Sequence, residues 1–444
     1  MMSDPVHTVS RREFVRTAGT AAAVTLAASS GLFASAGPAR RRYAMVGTGD
    51  RGTSMWGADV ALRYGDVLEF VGLCDVNPKR AALAPSLIGV SCPTFTDLDE
   101  MCNRVKPDLL VVTTVDAYHA GIIVKALERG IDVLTEKPMV IDERQCQAVL
   151  DAEKRTGRKI VVTFNYRFAP KHQLIKELLL SGEIGRVISV DFSWYLDVYH
   201  GADYFRRWHR LKSKGGSLWV HKASHHFDLI NWWLGADPVE VTARGSLDVY
   251  GRNGAQRSTT CRACPHKAAC RFYYDMTASE RRMKLYAGCE DADGYHRDGC
   301  VFREDVDIYD SMTALVKYSN GTTMTYSTNA FLPIEGYRLA FNGEKGRLEV
   351  RDFERQAWTP EAETEIAVMR SFGERRIVPV PAVEGAHGGG DDKLKDQIFR
   401  KVEVPDHMRL PDSRAGALAC LTGIAARTSV EQQRAVKIAD LVRL

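Results

Sequence analysis

From residue 42 onward, short apolar runs alternate with longer stretches in which apolar positions recur every three or four residues. The first pattern marks strands and the second amphipathic helices, so the alternation predicts βαβ units. Strands are expected at 43–46, 68–74, 109–114, 132–135 and 159–163, with helices at 54–64, from Asn77-Pro78, at 117–129 and at 143–155. Asn77 before Pro78 has the chemistry of an N-cap with proline at the first helical position, and Gly130 sits where a left-handed residue ends a helix. Parallel strands joined by crossover helices make a doubly wound α/β sheet, predicted for residues 40–165.

Beyond Phe164 the pattern changes. After a helical stretch at 170–181 come runs rich in β-branched and aromatic residues at 187–196, 239–249, 312–318, 322–328, 338–341 and 347–350. Ser319-Asn320-Gly321 is a hairpin turn of the Asn-Gly kind. Residues 166–410 therefore read as an α+β domain with an open, mainly antiparallel sheet. A helix starting at Pro411-Asp412-Ser413 opens the final segment, 411–444.

Composition limits what this architecture does. The chain has 444 residues, 45% of them hydrophobic, which suffices for two or three packed domains. Its 60 basic and 56 acidic residues give a net charge of +4, too balanced for a nucleic-acid footprint. Residues 1–36 stand apart. Arg11-Arg12 precede a mildly apolar stretch, 17–36, that ends in Ala34-Ser35-Ala36. A paired arginine, a weak apolar core and a small-residue cleavage site form a twin-arginine export address. The expectation is a mature protein outside the cytoplasmic membrane, a twin-arginine translocase as partner, and no stable membrane span. That route moves folded proteins, which suits a chain that loads a cofactor before export.

Gly47-Thr48-Gly49-Asp50-Arg51-Gly52 fits G-x-G-x-x-G and lies between a strand and a helix, where the motif cradles a pyrophosphate on free helix amides. Asp75 follows at the end of the next strand, placed to bind the adenosine ribose hydroxyls. Its charge would repel a 2′-phosphate and favours NAD, while Lys79 and Arg80 beside it leave NADP open. Five of ten cysteines fall within 40 residues. Cys261, Cys264, Cys270 and Cys300 read as a structural zinc quartet, with disulfides as the rival and free thiols as the third reading, inside an insertion at 258–303. A second glycine-rich stretch, Ala386-His387-Gly388-Gly389-Gly390-Asp391-Asp392, lacks the strand-and-helix context and reads as a plain turn.

The chain resembles the Gfo/Idh/MocA oxidoreductases, the family of glucose–fructose oxidoreductase and inositol dehydrogenase. The resemblance spans roughly 42–350. It rests on the glycine loop, Thr114-Val115-Asp116-Ala117-Tyr118-His119, Glu136-Lys137-Pro138, Asn165-Tyr166-Arg167-Phe168, and Gly215-Gly216 followed by His225. It implies a cofactor site that includes Thr114, His119, Glu136, Lys137, Asn165 and Arg167 beside the glycine loop, Asp75 and Arg80. It places Lys137 between cofactor and substrate and makes His225 the active-site histidine. A lysine in a dry cleft has a lowered pKa, and a histidine moves protons near neutrality. The family pattern carries an acid four residues before that histidine; here His221 stands there, followed by Lys222. His221 and Lys222 join the catalytic candidates, Lys222 as a second cation.

The resemblance implies oxidation of a secondary hydroxyl of a sugar, polyol or glycoside by NAD; export calls for that NAD to be tightly held, and the open sheet face points to a homo-oligomer. Two alternatives stay open: a redox-neutral NAD-dependent glycosidase working by transient oxidation and elimination, and a non-catalytic NAD-bound binding protein.

Overall fold

The computed structural model describes residues 39–444 except 360 and 381–385. Residues 1–36, expected from the sequence to be an export address, lie outside the described residues, as does the His387 side chain.

The first set of apolar runs forms a parallel sheet. Its strands are β1 (Arg41–Val46), β2 (Leu68–Cys74), β3 (Thr94–Phe95), β4 (Leu109–Val112), β5 (Asp132–Thr135) and β6 (Ile160–Val162), in the order β3-β2-β1-β4-β5-β6. All of β4 is buried, as expected for a central strand covered by helices on both faces. Asn77 caps the helix Pro78–Ile88 by accepting from the amides of Lys79 and Arg80. The order reverses between β1 and β4, and in such sheets ligands bind at that switch point, above the carboxyl ends of the strands.

The second sheet has nine strands: β7 (Val187–Asp197), β8 (Pro238–Ser246), β9 (Ser311–Tyr318), β10 (Thr323–Leu332), β11 (Ile334–Gly343), β12 (Gly346–Gln356), β13 (Glu363–Arg370), β14 (Arg375–Val378) and β15 (Val436–Lys437). The order is β14-β13-β12-β11-β7-β10-β9-β8-β15, and every pairing is antiparallel except β7 with β10. The α/β class and the mainly antiparallel second sheet are as the pattern predicts. β13, β14 and β15 are strands the pattern misses. β14 is largely exposed, so it lacks the apolar alternation that marks a half-buried strand.

The helix Ser413–Gln432, capped by Asp412, packs on both sheets. No helix among the described residues is long and apolar enough to cross a membrane.

The segment between β8 and β9 holds the clustered cysteines. Cys261, Cys264, Cys270 and Cys300 ring one small cavity of about 20 Å³ with Phe272, Tyr273 and Phe302. The predicted metal quartet is not assembled. Among the described residues no three His, Cys, Asp or Glu side chains are gathered as ligands, and all ten cysteines are free thiols, so the rival disulfides are not formed either. Arg206 contacts the Cys261 sulfur at 3.2 Å, and aromatic rings take up much of the remaining wall.

Candidate active site

A cleft of about 1640 Å³ runs from the glycine loop, across the carboxyl ends of β1, β4 and β5, to the helical segment 200–225 and to Tyr286, Tyr295 and Arg297. The loop is built as its spacing requires. Gly47 has φ +92°, and a Cβ there would lie 2.6 Å from the Thr113 backbone carbonyl carbon. Gly49 presents bare backbone: an added Cβ would meet only the Tyr286 hydroxyl, at 3.6 Å. Thr48 and Gly52 lie behind this face. Thr48 gives both its amide and its hydroxyl to Asp75, at 2.8 and 3.0 Å.

Asp75 is fixed before any ligand arrives. It also accepts from the Asn77 amide at 2.9 Å and lies 3.5 Å from Arg80. Arg80 in turn pairs with Asp293, which belongs to the cysteine-bearing segment. That segment crosses the loop: Arg281 reaches Asp50 at 3.1 Å and the Thr53 hydroxyl at 2.6 Å, and the Tyr286 hydroxyl accepts from the Asp50 amide at 3.0 Å.

Glu136 accepts from Arg51 and from the Trp56 indole, both at 2.7 Å. Burial pushes its carboxyl up, but Arg51 and these hydrogen bonds outweigh burial and hold it below the usual range. Thr114 lines the cleft, and His119 braces its floor through both ring nitrogens, to the Pro138 carbonyl at 2.8 Å and the Thr114 carbonyl at 3.1 Å. Asn165 gives its amide to Asp391 at 2.6 Å, and its buried side-chain oxygen has no hydrogen-bond partner among the described residues. Bare backbone at Gly49, the fixed Asp75 and this orphan oxygen together fit a dinucleotide laid across the switch point.

Lys137 sits at the end of β5 with its Nζ donating to the His221 carbonyl at 2.9 Å. Burial drives its pKa down to about 8, against the pull of Asp116 and Glu136. His221 Nδ1 shares a 2.5 Å hydrogen bond with Asp116 Oδ2. Burial pushes the Asp116 carboxyl up and the His221 imidazole down, so an imidazolium is disfavoured there. His225 stacks on Tyr166, ring centroids 4.3 Å apart. Lys222 reaches the Tyr166 hydroxyl at 3.2 Å. All four catalytic candidates line the same cleft.

Models of this family match both parts of the chain: the NAD-binding Rossmann fold over residues 41–164 and the C-terminal alpha/beta domain over residues 176–438. The chain belongs to the Gfo/Idh/MocA oxidoreductase family. It is 38% identical over 426 residues to YteT of Bacillus subtilis (strain 168), an alignment covering 91% of this chain and 99% of that one. It is 27% identical over 207 residues to the inositol 2-dehydrogenase of Rubrobacter xylanophilus, covering 45% and 54%. In fold it is similar to the WlbA dehydrogenase of Bordetella pertussis in complex with NADH and UDP-GlcNAcA, with TM-score 0.62, 18% identity and 90% and 99% of the two chains covered. It is also similar to the aldose-aldose oxidoreductase of Caulobacter crescentus, with TM-score 0.60, 17% identity and 90% and 100% covered.

Set beside that family pattern, two residues need correcting. Arg167 does not reach the cleft. It forms a bidentate pair with Asp228 at 2.7 and 2.5 Å, under Trp232, and so braces a helix instead of a cofactor. The position four residues before His225 holds no acid; the acid the sequence did not single out is Asp116 of the Thr114–His119 motif, which meets His221 across the cleft. Its contact spans 105 positions, which no local spacing reveals. Asp391, Arg207 and Lys214 also enter the site or its rim without a sequence signal.

Proposed function

We propose that this protein moves hydride between the carbon bearing a secondary hydroxyl of a sugar, polyol or glycoside and tightly held NAD. The observation that carries the reading is the convergence of Lys137 and the Asp116–His221 pair on one cleft beside the glycine loop. When bound, NAD supplies the hydride acceptor; the chain's own groups handle the proton. Asp116, hydrogen-bonded to Nδ1, orients the His221 ring, and Nε2 is then the nitrogen left to exchange a proton with the substrate. Lys137, cationic below about 8, holds the substrate oxygen and stabilises the negative charge that develops on it. His225, fixed by its stack on Tyr166, orients the sugar from the opposite wall. Asp75 holds the ribose, and Arg51, tied to Glu136, closes the nucleotide end.

The test is direct. Protein denatured as purified should release NAD, identified by mass spectrometry. Lys137→Ala and His221→Asn should keep that NAD and lose turnover. Unchanged turnover in both variants would point instead to a binding protein.

The redox-neutral glycosidase is a second reading favoured by one observation: the cysteine-bearing segment is tied across the glycine loop by Arg281, Tyr286 and Asp293. A cofactor beneath that strap is suited to regeneration in place. Steady accumulation of NADH during turnover would eliminate this reading. We also propose twin-arginine export from the Arg11-Arg12 segment. Arg11→Lys with Arg12→Lys should then leave the protein in the cytoplasmic fraction.

A further inference from the structure

The walls of the cleft beyond Lys137 carry more positive charge than they balance. Lys137, Lys222, Lys214, Arg207 and Arg297 line this part, and the carboxylates that answer them at close range are few. Asp116 is engaged by His221. Asp203 is shared by two guanidiniums, with Arg207 at 3.0 Å and Arg297 at 2.7 and 3.0 Å.

Lys222 is the sharpest case. It is only 3% exposed, yet the one hydrogen bond its ammonium makes among the described residues is to the Tyr166 hydroxyl, at 3.2 Å. The rest of its surroundings are ring faces, with Trp194 at 4.9 Å and Tyr166 at 5.5 Å. No carboxylate among the described residues lies within ion-pair distance; Glu335 and Glu354 act on it only from farther away. An ammonium has three protons to give, and burying one with a single neutral partner is costly. Burial lowers its pKa accordingly. A ligand anion entering the cleft would supply the missing acceptors and the missing charge.

We propose that the substrate is an acidic sugar, a uronic acid or a glycoside of one, whose carboxylate is held by Lys222 with Lys214 and Arg207 at the mouth. This rests on the sugar-oxidoreductase reading above and names its substrate class. Lys222 then sets specificity, and Lys137 with His221 carries the chemistry. A charge-assisted pair in a dry cleft is worth about 10- to 100-fold in affinity.

The experiment uses the full chain with its cofactor and four probes: D-glucuronate, D-galacturonate and the methyl esters of both. Binding is read by calorimetry, independently of turnover. The acids should bind at least about 10-fold tighter than the esters, and Lys222→Gln should erase the difference. Where a probe turns over, Lys222→Gln should raise KM for the acid at least about 10-fold more than for its methyl ester. Equal binding of acid and ester, or a Lys222→Gln variant that still prefers the acid, overturns the proposal. A fall in kcat alone, equal for acid and ester, overturns it too and assigns Lys222 to the developing alkoxide. Acid-selective binding by protein that holds no NAD would sink the oxidoreductase reading and leave this site standing.

Discussion

Across the cleft, the turn after β4 and the helical segment 218–221 share one short hydrogen bond, Asp116 Oδ2 to His221 Nδ1 at 2.5 Å. Asp116→Asn keeps the shape but replaces the carboxyl group with an amide that can donate to the ring as well as accept from it, so it no longer fixes the ring's tautomer. It should lower kcat by about 10²- to 10⁴-fold while NAD content stays as in the parent protein. Full activity would remove Asp116 from the mechanism. The pH profile follows from two shifts. Burial lowers His221, so the base is already neutral near pH 7 and the acid limb lies below the usual histidine range. Burial also brings Lys137 to about 8, so the cation that stabilises the alkoxide is lost as pH rises, and kcat should fall through about pH 8. Stopped assays from pH 5 to 10 would show the bell, and a flat alkaline side would contradict it. Arg167 belongs to another class of residue. It neutralises Asp228, which is 1% exposed. Arg167→Met should destabilise by about 3–5 kcal/mol, read as a lower Tm, without emptying the nucleotide site.

Among the elements, the segment between β8 and β9 departs furthest from expectation. Its cysteine spacing suggests a metal quartet or disulfides, and the structure instead closes it around one small cavity lined by free thiols and aromatic rings. What it docks against was not legible. Arg281, Tyr286 and Asp293 meet Asp50 and Arg80 some 210 to 240 positions away, through ordinary charged and polar groups. Arg281→Ala combined with Tyr286→Phe should speed release of NAD on dilution, followed by its absorbance in the ultrafiltrate, without altering the fold by circular dichroism. Unchanged retention would reduce the segment to decoration. The Ala386–Asp392 stretch teaches a similar lesson: it forms a turn into the helix Gly390–Phe399, and its Asp391 then holds Asn165 at the cofactor cleft. Helix starts and stops were easier to see, because Asn77 and Asp412 act on amides two or three residues away. Asp412→Ala should cost about 1 kcal/mol.

At the scale of the molecule, the cleft lies between two sheets that are braced by one helix. Ser413–Gln432 packs along β8 and against β6, and Arg427 donates to the Ile141 carbonyl at 3.1 Å. A ligand that bridges the cleft therefore binds only the assembled chain. Protein stripped of NAD should melt several degrees lower than protein as purified, and added NAD should restore the difference. Equal melting temperatures would mean that the site forms no tight complex.

The sequence by itself determined the class of the first sheet, the mainly antiparallel second sheet, the glycine loop, and Asp75, Lys137 and His225 as candidates. Each of these is written in local periodicity, in a fixed spacing, or in a motif beside a strand end. Tertiary structure alone decided that Asp116 meets His221, that Arg167 serves Asp228, that the four cysteines surround a cavity as free thiols, and that Lys222 is buried facing a cleft short of close carboxylates. The reason is physical. Helix and strand patterns repeat over a few residues, whereas charge balance and burial depend on which distant side chains arrive within a few ångströms.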